Sequence, residues 1–211
     1  MNKFLTITVF CFISINPISQ TSNQRSSLIE RRKQLIAQQT AFFSNFPNYY
    51  FVETGTGGGG FGVQAAIQAN FKEIHSIEID EKVLAQYKTI QKFAQYKHVK
   101  IWPGDSKKIL GQVIAPMDKP ITFWLDAHTK PLLQSDHKNT PLLDELEYIK
   151  QHPIKTHTIL IDDVNCCETA GFDFLSLEAI IKKIKSINEH YNISYAKSFW
   201  DSTILIAQIK Q

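Results

Sequence analysis

The feature that most constrains this chain is a glycine-rich stretch, GTGGGGFG, at residues 55–62. Six of the nine glycines of the protein lie in it. An apolar, aromatic run at residues 49–53 precedes it and indicates a buried strand, while residues 63–67 are typical of a helix. Glycine permits positive φ, and the free N–H groups of a helix N-terminus can donate to a ligand. The stretch therefore predicts a cradle for a nucleotide-like cofactor, with a flexible loop that binds nothing as the alternative.

Two kinds of cofactor suit such a cradle. The spacing Gly55-x-Gly57-x-x-Gly60 matches the dinucleotide fingerprint, and Glu78, 23 residues after Gly55, is a candidate ribose-binding acid. Glu53, however, stands two residues before the first glycine, at the end of the predicted strand. A carboxylate there would repel a pyrophosphate but would attract a cofactor that carries an ammonium group and no phosphate. S-adenosylmethionine (SAM) is such a cofactor, and Glu53 favours it over NAD.

The rest of the chain alternates between strand and helix patterns. Short links join them, as in βαβ units, and this alternation predicts an α/β fold with a single doubly wound, mostly parallel sheet of seven strands. The predicted strands are residues 49–53, 73–79, 98–102, 121–125, 157–161, 192–199 and 203–210, and the predicted helices are 21–45, 61–69, 81–96, 107–114, 142–151 and 174–188.

Carboxylates follow the fourth and fifth predicted strands. Asp126 ends the fourth, and the pair Asp162 and Asp163 ends the fifth. Adjacent strand ends lie about 5 Å apart, and like charges at that distance are unfavourable unless a cation joins them. Oxygen ligands of this kind suit Mg²⁺ or a similar divalent ion. The three residues therefore predict a metal site, although each alone could be a turn residue.

Other polar residues at the same edge are candidates for cofactor binding. Glu78 is expected to bind both ribose hydroxyls, with Asp80 as its rival, and Asp105 and Ser106 are expected to contact adenine. Helix capping is the alternative for Asp80, Asp105 and Ser106, because each stands immediately before a predicted helix.

These motifs resemble those of the class I SAM-dependent methyltransferases. Their first motif, acid-x-Gly-x-Gly-x-Gly, is matched by Glu53, Gly55, Gly57 and Gly59. The aspartates resemble those of the metal-dependent O-methyltransferases of the macrocin and mycinamicin type and of the catechol type, although catechol enzymes carry Asn where this chain has Asp163. The resemblance implies that the C-terminal hairpin contributes an antiparallel strand. It also implies metal ligands at Asp126, Asp162 and Asp163, and a cofactor site of Glu53, Gly55, Thr56, Gly57, Gly59, Glu78, Asp105, Ser106 and Asp126.

The expected activity is methyl transfer from SAM, with metal assistance, to a hydroxyl oxygen of a small substrate. His128 is the first candidate for the base that takes the proton, and Lys130 is the second. Two alternatives stay open: an NAD-dependent oxidoreductase, and an exported binding protein that has kept the methyltransferase fold without its activity.

The N-terminal segment differs from the rest. Residues 1–20 combine a short positive start with an apolar run of signal-peptide length, followed by a helical segment at 21–48 and the expected SAM-binding domain at 49–211. A cleaved signal would make the protein exported or periplasmic, and without one it would be cytoplasmic. The net charge of +3 does not favour a nucleic-acid partner. Cys166 and Cys167 are adjacent, which is not the spacing of a stabilising disulfide framework.

Overall fold

A computed structural model describes residues 22–128, 140–198 and 202–209. The chain divides into two compact units, residues 1–34 and 35–211. Of the first unit, the structure describes the N-terminal part of helix α1 (Ser22–Phe43). Leu28 and Ile29 are exposed there, whereas Ile36 and Phe43 in the second unit are buried. No helix among the described residues is both long enough and apolar enough to cross a membrane.

The second unit carries the sheet and the remaining helices. The predicted signal segment, residues 1–20, lies outside the described residues. The elements after α1 are β1 (Tyr50–Thr54), α2 (Phe61–Gln68), β2 (Glu73–Glu78), α3 (Glu81–Gln86), α4 (Thr89–Phe93), β3 (Val99–Pro103), α5 (Ser106–Ile114), β4 (Ile121–Leu125), α6 (Leu142–Gln151), β5 (Thr158–Ile161), α7 (Leu177–Ile187), β6 (Tyr191–Lys197) and β7 (Thr203–Ile209). Two short 3₁₀ turns, Val164–Cys166 and Ala170–Phe172, follow β5.

All seven predicted strands form one sheet, in the order β3-β2-β1-β4-β5-β7-β6. Strands β1 to β5 pair in parallel, and β7 is antiparallel to both of its neighbours. The predicted α/β fold with an antiparallel C-terminal strand is therefore confirmed. The order also differs from the 3-2-1-4-5-6 order of dinucleotide-binding sheets, because β7 lies between β5 and β6.

Helices cover the two faces of the sheet, and β1 shows how the chain supplies both. Successive side chains of a strand point to opposite faces. Tyr50 and Val52 pack into the apolar cluster that includes residues of α5, α6 and α7, and Phe51 packs into the cluster that includes residues of α2 and the end of α1. By the same alternation, Glu53 lies on the α2 face and Thr54 on the α5 and α6 face.

The predicted single helix at 81–96 is wrong, because the chain breaks between α3 and α4. Lys88 adopts a left-handed conformation, with φ 49°. Side chains on both sides of the break lie against the glycine stretch. A Cβ on Gly58 would lie 3.0 Å from the ring of Tyr87. Lys92 Nζ donates a 2.5 Å hydrogen bond to the carbonyl oxygen of Gly59. The side chains on both sides of the break thus support the loop.

Candidate functional site

The glycine loop runs from the end of β1 to the start of α2 and passes directly over the end of β4. Gly55 has φ +84°, and a Cβ there would lie only 2.5 Å from the carbonyl oxygen of Asp126. The N–H groups of Gly55 and Thr56 donate to Ile77 O of β2, at 2.9 and 3.2 Å. The loop is therefore held against the strands on both sides of β1, and glycine is required where it meets Asp126.

Glu78, the predicted ribose acid, adjoins this loop. Its Oε2 accepts a 2.8 Å hydrogen bond from Gly57 N, and its Oε1 accepts a 2.9 Å bond from Asp80 N. Carboxylate oxygens can accept more bonds than these two, so the group can still bind hydroxyls. Asp80 is exposed, and its side chain caps α3 by accepting from Lys82 N at 2.8 Å. Asp80 is therefore the cap of α3. Binding of the ribose by Glu78 stays a prediction.

Glu53 is buried beneath the loop, with 2% of its surface exposed. Ser76 Oγ donates a 2.5 Å hydrogen bond to it, and the hydroxyls of Ser76 and Thr56 lie 2.6 Å apart. Burial raises the pKa of Glu53 to about 8, with the Ser76 bond opposing the shift. A nearby ammonium would favour the charged form again. Gly62 makes room for this carboxyl, because a Cβ there would lie 1.8 Å from Glu53 Oε1. The predicted contact of Glu53 with the cofactor ammonium stays a prediction.

The turn after β3 holds the predicted adenine contacts. Asp105 caps α5 and accepts a 3.2 Å hydrogen bond from Lys107 N. Ser106 is buried, and its hydroxyl faces the carboxyl of Glu145 on α6. Capping therefore accounts for Asp105, while Ser106 points toward a second acid that the sequence motifs did not single out.

The acids that follow β4 and β5 meet as predicted, but with a histidine between them. His128 Nε2 lies 3.0 Å from Asp163 Oδ2, and His128 Nδ1 lies 3.6 Å from Asp126 Oδ1. Among the described residues, Asp126, His128 and Asp163 form a group whose ligand atoms all lie within 4.8 Å of one another. This arrangement is compact enough for one metal ion. The histidine was predicted as a base, and the structure makes it a candidate ligand too.

Asp162 adjoins this group but is not a member of it. Its Oδ1 accepts hydrogen bonds of 2.8 Å from Ser202 Oγ and from Asp163 N, and only 6% of the residue is exposed. The neighbouring Asp163 has a left-handed backbone, with φ 55°, and its carboxyl interacts with both His128 and the Ser202 hydroxyl. Burial, followed by the charge of Asp163, raises the pKa of Asp162 to about 6. The ligand role of Asp162 stays a prediction, and the geometry of the described residues favours His128 in its place.

The charges of Asp126, His128 and Asp163 stabilise one another. Burial and then the charge of Asp162 raise the pKa of Asp126, while His128 opposes that shift. Burial alone would lower the pKa of His128, but its hydrogen bond to Asp163 and the charges of Asp126 and Asp163 raise it. Burial also opposes ionisation of Asp163, yet His128 brings the pKa of Asp163 below its usual value. A cation is therefore favoured between the carboxylates, whether it is a protonated imidazole or a metal ion.

Glu145 is a buried acid for which the sequence motifs predicted no role. Only 1% of Glu145 is exposed, whereas its apolar neighbour Leu143 is exposed. Burial raises the pKa of Glu145 to about 7, with the hydroxyls of Ser106 and Thr54 opposing part of the shift. The spacing of Leu142, Glu145, Leu146 and Ile149 could have revealed it, because these positions share one face of a helix.

Two further predictions concern neighbouring residues. Lys130, the second candidate base, lies outside the described residues. Cys166 and Cys167 are free and half-buried, and burial raises the pKa of both thiols. Both pack against the larger apolar cluster, so they act as small packing groups near the site.

No protein-family model and no curated protein matches this sequence. Solved structures with the same fold do exist. An S-adenosylhomocysteine-bound methyltransferase of Podospora anserina, PaMTH1, is similar with a TM-score of 0.57 at 13% identity, over 94% of this chain and 99% of that one. The O-methyltransferase TomG of Streptomyces achromogenes, in complex with SAM, is similar with a TM-score of 0.55 at 13% identity, over 85% of this chain and 80% of that one.

A third structure broadens the range of substrates found on this fold. A Clostridium thermocellum protein described as an rRNA methylase has a TM-score of 0.57 at 11% identity, over 82% of this chain and 96% of that one. Identities this low relate the folds and not the activities. From its sheet order, its antiparallel strand β7 and these similarities, the chain has the fold of the class I SAM-dependent methyltransferases.

Proposed function

We propose that this protein is a SAM-dependent methyltransferase that methylates a hydroxyl oxygen of a small molecule with the help of a divalent cation. One observation carries the proposal: the glycine loop and the acid group touch. Gly55 packs on the backbone of Asp126, and Asp126 belongs to the group with His128 and Asp163. A cofactor in the loop and an oxygen held by the acid group would therefore be neighbours, as methyl transfer requires.

The chain's own residues supply the cofactor cradle. Glu78, which accepts a hydrogen bond from Gly57 N, would also accept from the ribose hydroxyls. Glu53 is buried beneath the loop, and an ammonium of the cofactor would stabilise its charged form. Holding the sulfonium and the acceptor oxygen in line supplies much of the rate of such a displacement.

The acid group fits a divalent cation. Two carboxylates and one imidazole offer oxygen and nitrogen donors within 4.8 Å of one another, a set that suits Mg²⁺, Mn²⁺ and similar ions, with waters or substrate completing the shell. When bound, the ion lowers the pKa of a coordinated hydroxyl. Asp126, His128 and Asp163 would hold it.

Proton transfer then depends on what His128 does. As a ligand, His128 would orient the ion and leave the proton to another group, for which Lys130 is a candidate. Without a metal, His128 would itself be the base, with its Nε2 bonded to Asp163 so that the carboxylate stabilises the imidazolium. The two roles exclude each other, so a metal titration separates them.

The competing functions have less support. A dinucleotide enzyme is disfavoured by the sheet order and by the buried acid at the start of the loop. A small molecule is proposed as substrate because a net charge of +3 would give little electrostatic attraction to nucleic acid. Loss of cofactor binding would leave a binding protein on a methyltransferase fold.

Calorimetric titration of the full chain with S-adenosylhomocysteine tests the cofactor assignment, and titration with Mn²⁺ tests the metal site. We expect both to bind, and NAD to give no thermal protection. Asp163→Asn should weaken Mn²⁺ binding but leave S-adenosylhomocysteine affinity unchanged. Asp144→Asn, which changes an exposed acid of α6, is the matched control and should change neither.

Three results would count against the proposal. A folded protein that binds no S-adenosylhomocysteine at millimolar concentration would be a binding protein on this fold. A protein stabilised by NAD instead would be a dinucleotide enzyme. Unchanged Mn²⁺ binding in the Asp163→Asn variant, together with methyl transfer that survives EDTA, would exclude the metal and leave His128 as the base.

A further inference from the structure

Helix α1 exposes two adjacent apolar side chains in the first compact unit. Leu28 is 48% exposed and Ile29 is 57% exposed. Single apolar residues are common on protein surfaces, so their exposure alone does not indicate a binding site. The charges that surround this pair are what distinguish it.

Three cations stand beside the pair on the same helix. Residues three or four positions apart are neighbours on a helix surface, whereas residues one or two positions apart are not. Arg31 and Arg32 follow Leu28 at these two spacings. Arg32 and Lys33 follow Ile29 at the same two spacings. Both apolar residues therefore have cationic neighbours, and these five residues are called the α1 patch.

The acid of this segment lies away from the apolar pair. Glu30 is one residue from Ile29 and two from Leu28, so it is a surface neighbour of neither. It lies 3.6 Å from Lys33, but the two side chains are 76% and 70% exposed, and such a surface pair contributes little. With Arg25, residues 22–34 contain four cations and one acid, a net charge of +3 that equals the net charge of the whole chain. The positive charge of the protein is thus concentrated around the patch.

Three possible occupants fit the α1 patch poorly. Residues 1–21 contain Lys3 and no acid, so they would bring no charge that opposes the cations. A second copy of the patch would bring the same cations and would be repelled. A nucleic acid would meet the cations with its phosphates but would leave the exposed apolar pair without an apolar partner.

We infer that the α1 patch binds the surface of a membrane that contains anionic lipids. A helix in a membrane interface buries apolar side chains at the level of the headgroups, and its cations meet the anionic lipids. Arg and Lys side chains are long enough to reach the headgroups while an apolar neighbour inserts more deeply. The strength of such binding increases with both contributions, and the patch supplies both. The inference concerns residues outside the candidate active site and does not depend on the proposed function.

Co-sedimentation of the full chain with two kinds of vesicle tests this inference. One kind is phosphatidylcholine alone, and the other is phosphatidylcholine with anionic phosphatidylglycerol at about three to one. At low salt the wild type should bind the anionic vesicles at least about thirtyfold more tightly, because each cation near such a surface contributes about fivefold. The Arg31→Gln/Lys33→Gln variant should reduce this preference at least about tenfold. Lys72→Gln/Lys82→Gln, which removes two exposed cations outside the patch, is the matched control and should keep the preference.

A second pair of variants tests the apolar contribution. Ile29→Ser should weaken binding to both kinds of vesicle at least about fivefold, because burial of an apolar side chain favours either surface. Ile90→Ser, which changes an exposed isoleucine of α4, should have no effect. Residues 4–15 are apolar and are present in every variant, so binding through them cancels in these comparisons. All the substituted positions are exposed, so each variant should fold, and urea unfolding checks this.

Three results would overturn the inference. Equal binding of the wild type to both kinds of vesicle would exclude anionic lipid as the partner, and binding of a single-stranded oligonucleotide through Arg31 and Lys33 would then make the patch a nucleic-acid surface. A folded Arg31→Gln/Lys33→Gln variant with the full wild-type preference would place the lipid contact elsewhere in the chain. A loss of preference in that variant, without any effect of Ile29→Ser, would reduce the interaction to charge attraction without insertion.

Discussion

A buried histidine pair, His152 after α6 and His157 before β5, makes the free energy of unfolding depend on pH. His157 Nδ1 accepts a 3.1 Å hydrogen bond from Ile121 N, so its proton must be on Nε2, which lies 3.1 Å from His152 Nδ1. His152 Nε2 then donates to the carbonyl oxygens of Ile114 and Met117, at 3.2 and 3.1 Å. This assignment follows from the partners at the two ends of the pair. In this assignment His157 is neutral, and both of its ring nitrogens are already used in hydrogen bonds.

The cost of protonating His157 can be worked out from its pKa. Burial, followed by the charges of His152 and Lys155, lowers the pKa of His157 from 6.5 to about 3, and none of the residue is exposed. As the pH falls through 6.5, the unfolded chain takes up a proton at this position and the folded protein does not. Stability is therefore lost on acidification, by about 2 kcal/mol between pH 7.5 and pH 5. Any folded pKa below about 4 gives nearly the same figure, because the loss over this range is set by the unfolded chain.

Urea unfolding of the wild type and of a His157→Asn variant, at pH 7.5 and at pH 5, measures this loss. The variant keeps an acceptor for Ile121 but does not titrate, so the wild type should lose about 2 kcal/mol more than the variant. Glu53 and Glu145, whose pKa values are raised, stabilise the folded state on acidification, but they do so in both proteins and cancel in the difference. His190→Asn, at an exposed position, should behave as the wild type. Equal losses for the wild type and the His157→Asn variant would refute the reasoning.

Two further predictions concern the cofactor loop. Glu78→Gln should weaken S-adenosylhomocysteine binding at least about tenfold in a calorimetric titration, because a charge-assisted bond contributes about 1.5–3 kcal/mol. Asp80→Ala should instead lower the unfolding free energy by about 1 kcal/mol through loss of the α3 cap, with affinity unchanged, and the reverse pattern would move the ribose role to Asp80. Gly55→Ala should destabilise the fold strongly in urea titrations, since its Cβ would lie 2.5 Å from the backbone carbonyl oxygen of Asp126. Gly57→Ala meets no atom within 4 Å and should show only the smaller cost of its φ of +60°, and equal losses in the two would contradict the packing argument.

Local patterns in the sequence were enough to predict the sheet and its carboxyl edge. Alternating strand and helix patterns with short links indicate βαβ units, and parallel strands bring their carboxyl ends to one edge whatever the side chains are. For that reason the sequence could place the glycine loop, Glu78, Asp126 and Asp163 at a common edge. Their spacing along the chain carries this information directly.

The side-chain contacts at that edge were decided only by the tertiary structure. Asp162 accepts a hydrogen bond from Ser202, while His128 lies against Asp163, and the sequence pattern reveals neither contact. Glu145 is buried beside residues from two segments that are far from it in the sequence. A sequence pattern does not show how close such segments lie in the folded protein. The break at Lys88 has a similar origin: helix propensity favours continuation, and the contacts of α3 and α4 with the glycine loop outweigh it.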